Sequence, residues 1–469
     1  MVRRAGPWWV LAVGVVACGG GGAASTSFGT GASASDSSGG GEGEADASES
    51  GDPQEDSGTT MGEGGSEGSE SGSDTAPEFE CEIEIACHDG SPVAGAGTSS
   101  VIPIGCGGPA FTSVQSIVVS SYADPEAPRS IPLLGDLDGD SVLDLAVNFR
   151  KAGAALVFRG GGDGRVMEPP AASLTGGLFA GGWGGDLGDI DGDGDLDVMF
   201  GDHVRGGRVW LSAGNMAFVE ARVGLTDDLL FSGGGLGDVD GDGDLDALFG
   251  ADQFGSGVHL YMGDGGGSWM AADPPPVTAS NVGHFEVADY DGDGDLDVFA
   301  FGKSGPGVTV FVLRNDGATF SAAGQVSGGA SPLGADPVQG SVGDVDCDGD
   351  LDIAAGGSIH VYDGGAWTLA ASLDGAQISH LGDMNGDGHL DLVTQDPTVG
   401  LALYLGDGSG TSFLLDGASG LPGASDGSHG AAMDTAYGID LGDLDGNGAL
   451  DIVRVAGFGA QYYVDLFTR

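Results

Sequence analysis

Seven short segments of the chain place acidic or amide side chains at alternate positions, the arrangement that gathers oxygen ligands around one hard cation. Numbered from the first Asp, each has Asp at positions 1 and 9 and Asp or Asn at 3 and 5, and the residue at 7 would offer its main-chain carbonyl. The first segment supplies Asp136, Asp138, Asp140, Val142 and Asp144, and the second Asp189, Asp191, Asp193, Asp195 and Asp197. The third supplies Asp238, Asp240, Asp242, Asp244 and Asp246, and the fourth Asp289, Asp291, Asp293, Asp295 and Asp297. The fifth supplies Asp344, Asp346, Asp348, Asp350 and Asp352. In the sixth, Asn385 and His389 stand at 3 and 7 among Asp383, Asp387 and Asp391; in the seventh, Asn447 and Ala449 stand at 5 and 7 among Asp443, Asp445 and Asp451. This donor set suits Ca²⁺, and up to seven Ca²⁺ ions are expected.

Gly at position 6 in six segments permits the positive φ that turns the chain around an ion, and Ser141 is the exception, so the first site should bind most weakly. The apolar residue at 2 and the Leu at 8 face the other way and should pin each loop to the core. An EF-hand would need a carboxylate at position 12 and flanking helices, whereas that position holds Val147, Phe200, Phe249, Ala300, Ala355, Thr394 and Arg454.

The elements that position these loops recur with them. First Asp residues are 53, 49, 51, 55, 39 and 60 residues apart, about one four-stranded blade each. After Asp197 come VMFGD, GRVWLSAG and AFVEARV, and the same order of short apolar runs returns after Asp246 and Asp297. With the strand before each loop this makes four strands per repeat, and the fold class expected over residues 110–469 is all-β, a seven-bladed β-propeller. The last repeat is one strand short. Residues 113–122, SVQSIVVSSY, should supply it and close the ring, which removes the exposed sheet edges.

Composition bounds the rest. The net charge is −57, from 71 acidic against 14 basic residues, so the chain should repel nucleic acid and anionic lipid surfaces. Residues 1–18 read as an export signal, with Arg3 and Arg4 before an apolar run too short to span a bilayer. Val15-Val16-Ala17-Cys18 resembles the lipobox of bacterial lipoproteins, which implies lipidation of Cys18 and membrane attachment by that anchor alone. Residues 19–78, nearly all Gly, Ser, Ala, Thr, Asp and Glu, are expected to be a disordered stalk, and residues 79–109 a Cys-bearing connector. Cys81, Cys87, Cys106 and Cys347 allow three pairings, which the sequence leaves open.

The seven segments, from GDLDGDSVLD at Gly135 to GDLDGNGALD at Gly442, resemble FG-GAP/VCBS repeats, the family of the integrin α-chain propeller and of many bacterial surface proteins. Phe200-Gly201, Phe249-Gly250 and Phe301-Gly302 stand where that family has its Phe-Gly pair. The resemblance implies that the acidic loops join the first two strands of each blade on one face, and that ligands use the opposite face. Turns around Trp183, His203, Arg205, Phe231, Gln253, Lys303 and Tyr437 are expected there as binding anchors. The function expected is a monomeric cell-surface or outer-membrane binding or adhesion module for a protein or glycan ligand. The alternatives are a secreted propeller enzyme such as a polysaccharide lyase, which the scarcity of basic residues disfavours, and a structural spacer.

Overall fold

The apolar runs between acidic loops are short and rich in β-branched, aromatic and glycine residues, and they form strands rather than helices. The computed structural model describes residues 110–118, 131–148, 154–175, 181–252, 257–277, 279–303, 307–330, 339–373, 378–396, 400–422, 435–458 and 461–469. The export signal with Cys18, the stalk and the connector with Cys81, Cys87 and Cys106 lie outside these residues, while Cys347 is a free thiol.

The chain forms a ring of seven blades, each an antiparallel four-stranded sheet. Strand β1 (Thr112–Val118) comes first, and blade 1 follows as β2 (Leu133–Gly135), β3 (Asp144–Asn148), β4 (Ala155–Phe158) and β5 (Ala172–Leu174). Blade 2 is β6 (Gly181–Gly188), β7 (Asp197–Asp202), β8 (Gly206–Ser212) and β9 (Phe218–Glu220). Blade 3 is β10 (Phe231–Gly237), β11 (Asp246–Ala251), β12 (Val258–Gly263) and β13 (Trp269–Ala271). Blade 4 is β14 (Ser280–Ala288), β15 (Asp297–Lys303), β16 (Gly307–Asn315) and β17 (Phe320–Ala330). Blade 5 is β18 (Gly340–Gly343), β19 (Asp352–Ala355), β20 (Ser358–Tyr362) and β21 (Trp367–Ser372). Blade 6 is β22 (Ile378–Gly382), β23 (Asp391–Asp396), β24 (Gly400–Gly406) and β25 (Phe413–Leu415). Blade 7 has β26 (Thr435–Gly442), β27 (Asp451–Phe458) and β28 (Gln461–Thr468), and its fourth strand is β1, in the order β1-β28-β27-β26.

Closure of the ring by an N-terminal strand is therefore direct: Thr112 pairs with Thr468 and Val118 with Tyr463. Ile117 is fully buried, and Ser116 Oγ donates to Asp465 Oδ1 at 2.7 Å. Gln115 ties this strand to blade 1, accepting from Val166 N at 2.9 Å and donating to Val166 O at 3.1 Å.

Register places every acidic loop at the hairpin between the first and second strands of its blade. Gly135 pairs with Asp144, Gly188 with Asp197 and Gly237 with Asp246, and the other four blades repeat the pairing. The residue at position 2 is buried in all seven loops, as expected. The Leu at position 8 has a second task beyond packing on the core. A Cβ on Gly135 would meet Leu196 of the next blade at 2.9 Å, one on Gly188 would meet Leu245 at 2.7 Å, and one on Gly442 would meet Leu143 at 2.7 Å. At these positions the glycine before the first Asp is thus a socket for the neighbouring blade's Leu, which stitches blade to blade while, as for Leu143, Leu351 and Leu450, it also packs with its own blade's core. Phe200, Phe249 and Phe301 are fully buried, and the glycines after the first two leave room for the next blade's inner strand: a Cβ on Gly250 would lie 2.1 Å from Val282 O.

Candidate metal centres

Each loop is folded first by its own amides. Asp136 accepts hydrogen bonds from Gly139 N (2.8 Å) and Asp140 N (3.0 Å) on Oδ1 and from Ser141 N (2.8 Å) on Oδ2. Asp383 does the same with Gly386, Asp387 and Gly388. The position 5 side chain accepts from the N–H of position 7, as Asp193 does from Asp195 at 3.0 Å and Asn447 from Ala449 at 2.7 Å, so it braces the exposed tip. Position 9 begins the second strand and is buried; Asp144 accepts from Leu137 N at 2.8 Å and, across the blade, from Gly160 N at 2.7 Å. The same pair of bonds holds Asp197, Asp246, Asp297, Asp352, Asp391 and Asp451.

Burial pushes the carboxyls of Asp144, Asp197, Asp246, Asp297, Asp391 and Asp451 up to about 7 and that of Asp352 up to about 8, with the two N–H bonds opposing. Position 3 carries the informative atom. Oδ1 of Asp138, Asp191, Asp291 and Asp346 is buried without a hydrogen-bond partner, and in blade 3 Oδ1 of Asp238 is the orphan. A carboxylate oxygen held dry and unpaired is costly unless a cation meets it.

Oxygens of positions 1, 3 and 9 converge within 4.8 Å of one another in four loops: Asp136, Asp138 and Asp144; Asp189, Asp191 and Asp197; Asp238, Asp240 and Asp246; and Asp289, Asp291 and Asp297. In blade 5 the converging set is Asp344, Asp346 and Asp348. In the last two loops an amide replaces one carboxylate, Asn385 Nδ2 donating to Asp387 Oδ2 at 2.9 Å and Asn447 Nδ2 to Arg469 O at 3.0 Å. These clusters could bind metal, and the orphaned oxygens fit a hard, oxygen-seeking cation.

The turns need two left-handed residues, at positions 4 and 6, where the sequence reading recognised only the second. Gly192 and Gly194 have φ of 70° and 96°, and their Cβ directions are open, so backbone conformation alone selects glycine there. Ser141 at position 6 (φ 67°) and Cys347 at position 4 (φ 61°) adopt this region with a side chain attached. Ser141→Gly and Cys347→Gly should each stabilise the protein by about 0.5–1 kcal/mol. The check is a rise in denaturant midpoint at unchanged slope; a fall in either variant would refute the strain.

The expected anchors of the opposite face are corrected in part. Trp183, Phe231 and Tyr437 lie within strands β6, β10 and β26 rather than in turns, and Trp183 and Phe231 are buried, as is His203. The cause is close approach of glycine-rich inner strands: a Cβ on Gly184 or Gly233 would lie 2.0 or 2.2 Å from Gly283 O. Arg205 and Lys303 remain half-buried at that end, and Gln253 lies outside the described residues. The sequence reading also missed Asp186 and Asp440, three residues before their first Asp, a register visible once the repeats are aligned. They fasten inner strands to neighbours, accepting from Leu236 N at 2.9 Å and Leu134 N at 2.8 Å.

Profiles of the family described as FG-GAP-like repeat match residues 136–200, 189–249, 238–300, 289–355 and 383–453. No curated protein matches the chain. Among solved structures, BBS1N in complex with ARL6DN is 9% identical, with 77% of this chain and 98% of that one covered and a TM-score of 0.46. The exotype rhamnogalacturonan lyase YesX is 14% identical, with 68% and 62% covered and a TM-score of 0.36. The biofilm matrix protein Bap1 of V. cholerae is 12% identical, with 72% and 76% covered and a TM-score of 0.38. These are distant likenesses, and nothing about function follows from them.

Proposed function

Since this chain belongs to the FG-GAP-like repeat family, we propose that it is a Ca²⁺-stabilised cell-surface module that binds a protein or glycan, held to the membrane by lipidated Cys18 and extended on the stalk of residues 19–78. The observation that carries the metal half is the set of five buried, unpartnered carboxylate oxygens, one in each of the first five loops. In the first four loops positions 1, 3 and 9 would hold the ion, and in the fifth positions 1, 3 and 5; the ion would supply most of the charge neutralisation that the chain's few basic residues do not. Main-chain amides orient positions 1 and 9 beforehand, so the loop need not reorganise to receive it. A scaffold stiffened at one face leaves the turns of the other free to vary, which suits recognition and supports the binding half.

The test is binding of the purified protein to a glycan array and to isolated envelope proteins, with Ca²⁺ and with chelator. Ca²⁺-dependent capture of one class is expected, and no ligand in either condition would overturn the binding reading. Labelling of cells with an alkyne fatty acid, lost in Cys18→Ala, tests the anchor.

A further inference from the structure

Two loops already contain a cation of the protein's own. The residue that donates its N–H to Oδ1 of the position 9 Asp marks one structural position in every blade, and the residue before it marks another. In blades 2, 3, 5, 6 and 7 that residue is Leu211, Met262, Val361, Leu405 or Thr468. In blades 1 and 4 it is Arg159 and Arg314. Arg159 Nη2 lies 2.6 Å from Asp138 Oδ2; Arg314 Nη1 lies 3.0 Å from Asp291 Oδ2, and its Nη2 lies 2.8 Å from Asp293 Oδ2.

Each guanidinium meets the outer oxygen of position 3, while the inner oxygen, Oδ1 of Asp138 or Asp291, stays buried and unpartnered. The arginine therefore does not occupy the cation's place. It shares the carboxylate with it from the other side. We propose that Arg159 and Arg314 are tethered counter-cations that divide the loops into two classes, those of blades 1 and 4 binding Ca²⁺ most weakly and filling last. This rests on the metal reading above.

Two effects act in the same direction. Without metal the guanidinium offsets carboxylate repulsion and so stabilises the empty loop; with metal it stands a few ångströms from a double positive charge and repels it. Both lower affinity. The arginine side chains are 32% and 40% exposed, so their replacement leaves the core intact. Blade 4 separates this effect from backbone strain, because its loop has Gly294 at position 6 where blade 1 has Ser141.

Ca²⁺ titration of the full chain against a chromophoric chelator should show a weak class of two sites in the wild type. In Arg159→Gln/Arg314→Gln that class should tighten by about tenfold or more, while Arg159→Lys/Arg314→Lys should keep it weak. The Gln variant should also melt lower than wild type in chelator yet higher in limiting Ca²⁺, a crossing that lost packing would not produce. Unchanged affinities together with no crossing would overturn the counter-cation role and leave the metal sites standing. No Ca²⁺ binding by wild type or variant would instead overturn the metal reading, and this proposal with it.

Discussion

Stripping divalent cations should lower the melting temperature of the protein by more than about 10 °C or unfold it outright. Five buried carboxylate oxygens then lack any partner, at about 1–3 kcal/mol each. In the first four loops carboxylates at positions 1, 3 and 9 lie within 4.8 Å of one another and, where ionised, repel on the order of 4 kcal/mol per pair at an effective dielectric near 20 before relaxation. Ca²⁺ at 100 times its Kd would contribute about 2.7 kcal/mol per occupied site in the other direction. Losing that linkage at several sites is comparable to the roughly 5–15 kcal/mol by which a folded domain is stable. Mg²⁺ should restore little, because it demands a tighter octahedral shell than this spread of oxygens offers. Differential scanning calorimetry with and without chelator, joined to elemental analysis, decides the matter. An unchanged melting temperature and no bound calcium would sink the assignment.

Metal-free protein should become less stable as pH rises from about 4 to 8, the reverse of ordinary acid denaturation. The seven position 9 carboxyls have an ordinary value of 3.8, and burial pushes them up to about 7, or about 8 for Asp352. Between those limits the folded state holds protons that the unfolded state has released, so each unit of pH lowers the free energy of unfolding. One unit realised at each of the seven positions would amount to about 10 kcal/mol, as large as a domain's whole stability. With Ca²⁺ bound these groups serve as ionised ligands, and protons compete with the metal, so stability should hold or rise over the same range. Melting curves of resin-stripped protein at pH 5, 6, 7 and 8, with and without added Ca²⁺, should therefore diverge. Parallel profiles would show that the position 9 carboxyls are not where metal and proton compete.

Much of this architecture was legible because its information is local. A loop of nine residues folds on its own amides, so the alternation from Asp189 to Asp197 shows both the turn and the convergent oxygens without knowledge of anything distant. Repetition multiplied that signal and set the number of blades. The missing strand of blade 7 could be found by counting, since a sheet edge left open would be costly. The left-handed residue at position 4 was overlooked because glycine is common throughout this chain, and Cys347 breaks the pattern without breaking the turn.

Sequence alone thus determined the propeller, its seven acidic loops and the cation chemistry they suit, all set by contacts within a few residues or by the repeat itself. Tertiary structure decided what depends on one blade meeting the next. Leu196 finds its socket at Gly135, 61 positions earlier, and Trp183 disappears into the interior because the inner strands of blades 2, 3 and 4 are bare enough to approach. It also decided which carboxylates meet an arginine, since Arg314 lies 23 residues beyond Asp291 and reaches it only after β15 and β16 have folded back. No periodicity records such meetings, because burial and charge pairing are properties of the space between elements, and that space exists only when the ring has closed.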